Sequence, residues 1–452
     1  MANLWFASAL IDAGWVESVR FSIEGGRIAR IEAGVTAGPA DEQHGLGLPG
    51  IPNVHSHAFQ RAMAGLTESA GPGADSFWTW RNLMYRFVAR LTPEDLQAIS
   101  AFAFAEMLEA GFTRVGEFHY LHHDPAGVRY ANVAELAARI AAAAEESGIG
   151  LTLIPVFYAH SNFGTTTPAP AQRRFINSVD QFAALLDASR RVVDQLEAGS
   201  IGVAPHSLRA VSPQELGAVA SMLPGAPVHL HIAEQVKEVE DCIAWCGSRP
   251  VDWLLDHASV DDRWCLVHAT HVNAEETHRL AACGAVAGLC PITEANLGDG
   301  VFPAAEFLGA GGLFGIGSDS NVLVSAVEEL RMLEYTQRLT QRRRNVLADG
   351  AERSTGRRLL DAALAGGSRA LGIERAGLTV GAGADIVSLD TTCETLLSRR
   401  GDALLDSWIF AERSGAIDCV WRHGHKVVAG GRHLRREAIT RNYRRVLEHL
   451  LA

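Results

Sequence analysis

Leu46-Gly47-Leu48-Pro49-Gly50-Ile51-Pro52-Asn53-Val54-His55-Ser56-His57 is an apolar run that ends in two histidines one residue apart. In an extended strand, residues i and i+2 face the same side. Both imidazoles can therefore reach one metal ion, and neutral imidazole is the commonest metal ligand, suited to zinc or iron. A lone His-x-His pair is a weak signal. Its weight comes from the pattern of the remaining chain.

Seven further short apolar runs recur, at 113–120, 151–158, 201–207, 227–234, 263–270, 286–293 and 314–320. Most lead into a segment with helical period, at 93–110, 133–147, 174–196, 213–222 and 274–283. Strands alternating with helices imply an α/β protein with a parallel sheet. Eight such units, over more than the ~250 residues typical of the fold, predict a (β/α)8 TIM-type barrel, with an open doubly wound sheet as the alternative. Polar residues gather at the ends of the runs: His55 and His57; Glu117, His119 and Tyr120; His206, with Arg209 just beyond; His231 and Glu234; His268 and His271; Asp319. In a parallel barrel these ends converge on one mouth. Three histidines and an aspartate there can hold zinc and leave a position for water. Taken singly, each histidine reads equally as a satisfied core residue.

The two ends of the chain differ from the middle. Residues 19–31 alternate about Glu24-Gly25-Gly26, a hairpin signal, and 385–389 and 419–428 repeat the style about His423-Gly424-His425. The expected organisation is a small composite β-sandwich from 1–48 and 377–434, a catalytic barrel over 49–376, and a C-terminal helix over 435–452.

Composition narrows the function classes. The chain has 452 residues, 48% of them hydrophobic and 20% charged, with a net charge of -12. That balance fits an ordinary soluble globular protein and argues against a nucleic-acid or anionic-membrane partner. No apolar run reaches the length of a membrane span, and Met1 to Val16 does not read as a signal peptide. Seven cysteines without Cys-x-x-Cys spacing, Cys242 and Cys246 being the closest, fit reduced thiols in a cytoplasm. Only two lysines occur, Lys237 and Lys426. The run Arg342-Arg343-Arg344 reads as a solvated basic face.

The segments 49–57, His231-Ile232-Ala233-Glu234, His268 and Ser318-Asp319-Ser320, with Leu378 to Val387 as a return strand, resemble the amidohydrolase superfamily over essentially the whole chain. The resemblance implies a barrel, a β-sandwich from both ends, and metal-activated hydrolysis. It implies His55, His57, His231 and Asp319 as metal ligands, Asp319 also acting in catalysis. His268 would orient the water or stabilise charge, and Glu234 would shuttle protons. Binuclear members carry a lysine at the end of strand four; here that strand ends Ala204-Pro205-His206, which points to one divalent metal, with Glu117 open as a bridge. The ligand set suits Zn2+ first and accepts Fe2+.

Members with His-x-x-Glu after strand five are mostly deaminases. Arg209 beside the site offers a planar donor fork for a carboxylate, which suggests a small acidic substrate rather than a nucleobase; a surface ion pair is the alternative. The strings 55–65, 116–123 and 204–211 resemble the formimidoylglutamate deiminases of histidine degradation. That resemblance implies hydrolysis of N-formimidoyl-L-glutamate, a small acidic amidine, to N-formyl-L-glutamate and ammonia. Gln60, Arg81, Tyr120, His206 and Arg209 would bind substrate. Arg81 falls in an aromatic loop, Phe77 to Arg81, that is either a lid or packing. The rival readings are a deaminase of the same fold acting on another amidine, a guanidino acid or a nucleobase, and a non-catalytic scaffold barrel. A homodimer is among the assemblies the sequence allows.

Overall fold

The computed structural model describes residues 2–69, 75–348, 353–374, 376–413 and 415–451. Met1 and Ala452, the outermost residues of the expected end segments, lie outside them. Seven of the eight barrel strands are Ile51–Ser56, Phe112–His119, Gly150–Phe157, Val228–Ile232, Trp264–His268, Val286–Leu289 and Leu313–Ile316. The fourth, between Phe157 and Val228, is broken into Ser200–Ile201 and Ala204–Pro205. The strands pair in parallel, and the eighth lies beside the first. Between the fourth and fifth the ring closes through Val203 N–H to Pro227 O, His229 N–H to Val203 O and His231 N–H to His206 O, each 3.0 Å. The first three strands are buried at every position. Burial on both faces is what makes parallel strands read as continuous apolar runs.

Local sequence sets where the helices start. Thr92 with Asp95, Ser178 with Gln181, Ser212 with Glu215 and Asn273 with Glu276 form capping boxes at four of them. The Ser178 box starts its helix at Val179, not at 174 as the periodicity predicts. Arg174 is instead buried in the connection. It donates to His123 O (2.8 Å), Val88 O (2.5 Å) and Leu91 O (2.9 Å). Val88 closes the helix Phe77–Val88, so Arg174 satisfies carbonyls at that helix's C-terminal end, where cations are favoured. The aromatic segment expected as a loop is the first turn of this helix. Ser76 N–H donates to the Thr79 hydroxyl at 3.0 Å, and neither glycine nor proline interrupts the turns beyond it. Arg174→Met should strand three buried carbonyls and lower stability by at least about 2 kcal/mol, read as a lower denaturation midpoint with unchanged slope. An unchanged midpoint would leave the capping role without support.

One close approach needs glycine. A Cβ at Gly366, on the helix Thr355–Ala370, would stand 2.0 Å from Phe314 O. Its absence lets that helix press onto the eighth strand.

A second sheet is assembled from both ends of the chain. Its order across the sheet is Arg432–His433, His425–Ala429, Ile417–Arg422, Ile386–Leu389, Glu42–Pro49, Ala2–Ile11, Gly14–Glu24 and Arg27–Glu32. The halves join where Ile386–Leu389 runs antiparallel to Glu42–Pro49, Leu389 opposite Leu46. Gly25 and Gly26, at φ 53° and 75°, make the tight turn of the last hairpin. Phe6 and Trp421 stand three strands apart, yet their rings lie 6.1 Å from each other. Strands are spaced about 4.8 Å, so the sheet curls over a small shared core that includes Phe21 and Ile386. The helix Arg436–Leu451 packs on Pro93–Glu109, with Tyr443 stacked on Phe102 at 3.9 Å. Among the described residues no helix is long and apolar enough to cross a membrane.

Candidate active site

The C-terminal ends of the barrel strands bring His55, His57, His231 and Asp319 together, all buried. His55 Nε2 is 3.2 Å from His57 Nε2 and 3.0 Å from His231 Nε2. Asp319 Oδ1 lies 3.5 Å from His55 Nε2 and 3.3 Å from His57 Nε2. A tetrahedral ion bonded at ~2.0–2.1 Å has donor atoms about 3.3–3.4 Å apart. The four donors thus fit the edges of a cage around one ion.

The tautomers agree with that fit. His57 Nδ1–H donates to Phe118 O at 3.0 Å, and His231 Nδ1–H donates to His206 O at 3.2 Å. Both carbonyls can only accept, so both Nε2 atoms turn lone pairs toward the cage. Lone pairs so close repel unless a cation lies between them. Burial also keeps these imidazoles neutral, the form that ligates. It pushes His55 down to about 3, and His57 and His231 below their ordinary value.

Strain and a buried polar network hold the geometry. Ala233, His268, Ala269 and Asp319 adopt left-handed φ of 50°, 67°, 48° and 42° at the strand ends. Such strain persists only where the surroundings over-determine it. Asn53 Nδ2 donates to Ser318 Oγ (2.7 Å), which donates to Asn321 Oδ1 (2.7 Å). Asn321 Nδ2 returns to His57 O (3.2 Å) and Asp319 O (2.9 Å).

Beside the cage, His268 faces carboxylates. Its Nε2 lies 3.9 Å from Glu234 Oε1 and 3.9 Å from Asp319 Oδ2, and its Nδ1 lies 3.2 Å from Glu294 Oε1. Burial opposes its charge, but Glu234, Glu294 and Asp319 outweigh burial and hold its pKa up at about 10. Glu234 goes the other way: burial pushes it up to about 7, against His268 and Arg209. A carboxyl poised near neutrality suits proton transfer.

One pocket opens on this group. It is lined by His57, His231, Glu234, His268 and Asp319, and also by Gln60, Arg81, Tyr120, His206 and Arg209. All five residues expected to bind substrate therefore face the same cavity. Gln60 Nε2 donates to the Tyr120 hydroxyl at 3.1 Å. The helix Phe77–Val88 supplies Arg81, whose guanidinium lies 4.5 Å from the Trp78 ring; that of Arg209 lies 5.9 Å from the same ring. Arg209 is buried, with Nε 3.7 Å from Glu238 Oε2. It is not the surface ion pair kept open as an alternative.

Other expected residues are placed elsewhere. Glu117 accepts Ala58 N–H at 2.8 Å, and burial pushes it up to about 8; it is not among the four cage residues. His119 and His271 do not line the pocket. Neither lysine joins the site: Lys237 pairs with Asp241 at 2.8 Å, and Lys426 with Glu42. Three residues were not singled out from sequence. Tyr158, in the pocket, ends the third run, so the strand-end rule could have found it. Glu238 and Glu294 sit on helices, where an acid reads as solvated, but both are buried here.

The sequence profile of the amidohydrolase family matches residues 47–427, and that of the N-terminal domain of formimidoylglutamate deiminase HutF matches residues 4–45. The chain is 51% identical to a formimidoylglutamate deiminase from Pseudomonas aeruginosa, over 100% of both chains. It is 30% identical to an 8-oxoguanine deaminase from the same organism, over 77% of this chain and 76% of that one. A crystal structure of an amidohydrolase from Brucella melitensis superposes with a TM-score of 0.97 at 56% identity, covering 100% of both chains. A zinc-bound adenosine deaminase from Xanthomonas campestris superposes with a TM-score of 0.82 at 22% identity, covering 100% of this chain and 98% of that one, a likeness of fold alone.

Proposed function

This chain belongs to the amidohydrolase family, and we propose that its barrel mouth hydrolyses N-formimidoyl-L-glutamate to N-formyl-L-glutamate and ammonia, a step of histidine degradation. One observation carries the reading: the N3O cage and two guanidiniums, Arg81 and Arg209, open onto the same pocket. The full-length likeness to the Pseudomonas aeruginosa deiminase supports it.

In this proposal His55, His57, His231 and Asp319 hold one divalent ion, zinc first and iron as the alternative. When bound, such an ion can bring the pKa of a coordinated water to about 7. Glu234 takes a proton from the attacking water and passes it to the departing nitrogen. His268, held as an imidazolium by its carboxylates, stabilises negative charge on the reacting centre. The helix Phe77–Val88 and the buried Tyr120 and Tyr158 exclude bulk water. Gln60, Tyr120 and His206 orient the substrate, and Arg81 and Arg209 bind its carboxylates. A cytoplasmic setting fits seven cysteines that are all free thiols.

Arg209 gives the test of substrate class. Arg209→Met should cut kcat/KM for N-formimidoyl-L-glutamate at least about tenfold, since a charged hydrogen bond contributes ~1.5–3 kcal/mol. Lysine should restore only part, because it lacks the planar fork. An amidated substrate should be poor with the parent protein and lose little more in the variant. Equal damage to charged and neutral substrates at constant metal content would make Arg209 structural and remove its support for an acidic substrate.

A further inference from the structure

Asp319 presents its two oxygens to two different sets of ligands. Oδ1 faces the cage, at 3.3 Å from His57 Nε2, whereas Oδ2 points to His268 Nε2 at 3.9 Å. Near both residues lies the thiol of Cys290, just past the end of the seventh strand and fully buried. One donor atom each from His268, Cys290 and Asp319 lie within 4.8 Å of one another.

We infer that His268, Cys290 and Asp319 form a second, thiophilic metal site whose occupation shuts the enzyme down. The inference rests on the metal cage of the proposed function, though not on its substrate.

Four further observations support it. His268 has the support typical of a metal-ligating histidine, because its Nδ1 is hydrogen-bonded to a carboxylate, Glu294 Oε1, and its Nε2 is turned to the site. The same Oε1 accepts the Cys290 N–H at 2.9 Å, so one carboxylate fixes two of the three ligands relative to each other. Gly317 leaves room for His55 and the thiol together: a Cβ there would stand 2.8 Å from His55 O and 3.0 Å from Cys290 Sγ. A further carboxylate also stands by, with Glu234 Oε1 3.9 Å from the same His268 nitrogen.

The two sites differ in softness. The cage offers three nitrogens and one oxygen, whereas the second site adds a sulfur, which favours zinc-like, thiophilic ions over magnesium or manganese. Binding replaces the Cys290 thiol proton and the His268 Nε2 proton, so two protons are released to solvent for each ion bound. The ion then holds His268 Nε2 and draws Glu234 away from substrate. Asp319 would serve both sites, Oδ1 toward the cage and Oδ2 toward His268. The chain would therefore work with one ion and be inhibited by a second.

The experiment titrates the one-zinc holoenzyme with CdCl2, following the ultraviolet thiolate-to-cadmium absorption, zinc content and turnover. The parent protein should gain a saturable band with one added equivalent, keep its zinc and lose turnover; MnCl2 should do none of this. Cys290→Ala should lack that band and keep turnover in cadmium. Glu294→Gln should retain the band but bind cadmium about 10–100-fold more weakly. Cys290→Ser checks that loss of the band is not loss of fold. A band of equal size in Cys290→Ala, inhibition equal in both proteins, or cadmium entering only by displacing zinc would overturn the proposal. The band is read without substrate, so failure of the deiminase reading leaves it intact.

Discussion

Replacing His231 with alanine should cost the protein its metal and its turnover together. His231 Nε2 sits 3.0 Å from His55 Nε2, and its own Nδ1–H is spent on His206 O, so Nε2 is left for the cage. Losing a partner that merely supports a ligand weakens metal binding about 10–100-fold, and losing the ligand itself should exceed that. Elemental analysis should give one equivalent in the parent protein and next to none in the variant, with ammonia release falling in parallel. Two equivalents in the parent, with full activity only at two, would overturn the single-ion reading. Active, metal-loaded His231→Ala would remove His231 from the ligand set.

Glu234→Gln should separate chemistry from assembly. The amide keeps the shape, and the backbone there is held independently: Glu238 accepts the N–H groups of Ala233 and Glu234, each at 3.3 Å. Metal content and fold should therefore persist while turnover falls about 10²–10⁴-fold, the usual contribution of a positioned proton-transfer group. The pH profile gives a second readout. Burial pushes Glu234 up to about 7, and the ionised form is the one that accepts a proton. In the parent protein kcat/KM should therefore fall as pH drops through that value and level off above it. The variant, with no titrating group there, should lose this acidic limb. An unchanged limb in Glu234→Gln would assign the shuttle to another residue.

The grouping of His55, His57, His231 and Asp319 was legible in the sequence because its signals are simple. A strand fixes the relation of His55 to His57 two residues apart, and the rule that barrel strands end at one mouth brings in His231 and Asp319 from far along the chain. The limits of the helix around 174–196 were not legible, since periodicity cannot distinguish an arginine that begins a helix from one that caps another. Only the Ser178 box marks the true start. Likewise Phe77 to Arg81 carries aromatic density that suits a loop or a helix, and the Thr79 hydroxyl at Ser76 decides for the helix. Glu238 and Glu294 were invisible for a different reason. Their burial depends on backbone N–H groups at strand ends, which no side-chain pattern announces. The glycine in the gap of the fourth strand also answers a tertiary need: a Cβ at Gly202 would stand 2.9 Å from Pro227 O, just before the neighbouring strand.

The sheet shared by both chain ends bears on how the molecule is made. Strand Glu42–Pro49 emerges early, but its antiparallel neighbour Ile386–Leu389 comes more than three hundred residues later. At ~5–20 residues per second, a growing chain on the ribosome waits on the order of tens of seconds between them. During that interval the N-terminal strands can pair with one another but leave one edge open, a template for association with other nascent chains. The barrel is synthesised wholly within the same interval, so its completion carries the late partner to the waiting edge. A chain that stops before residue 386 would keep that edge exposed permanently, and aggregation rather than loss of chemistry should be its first defect.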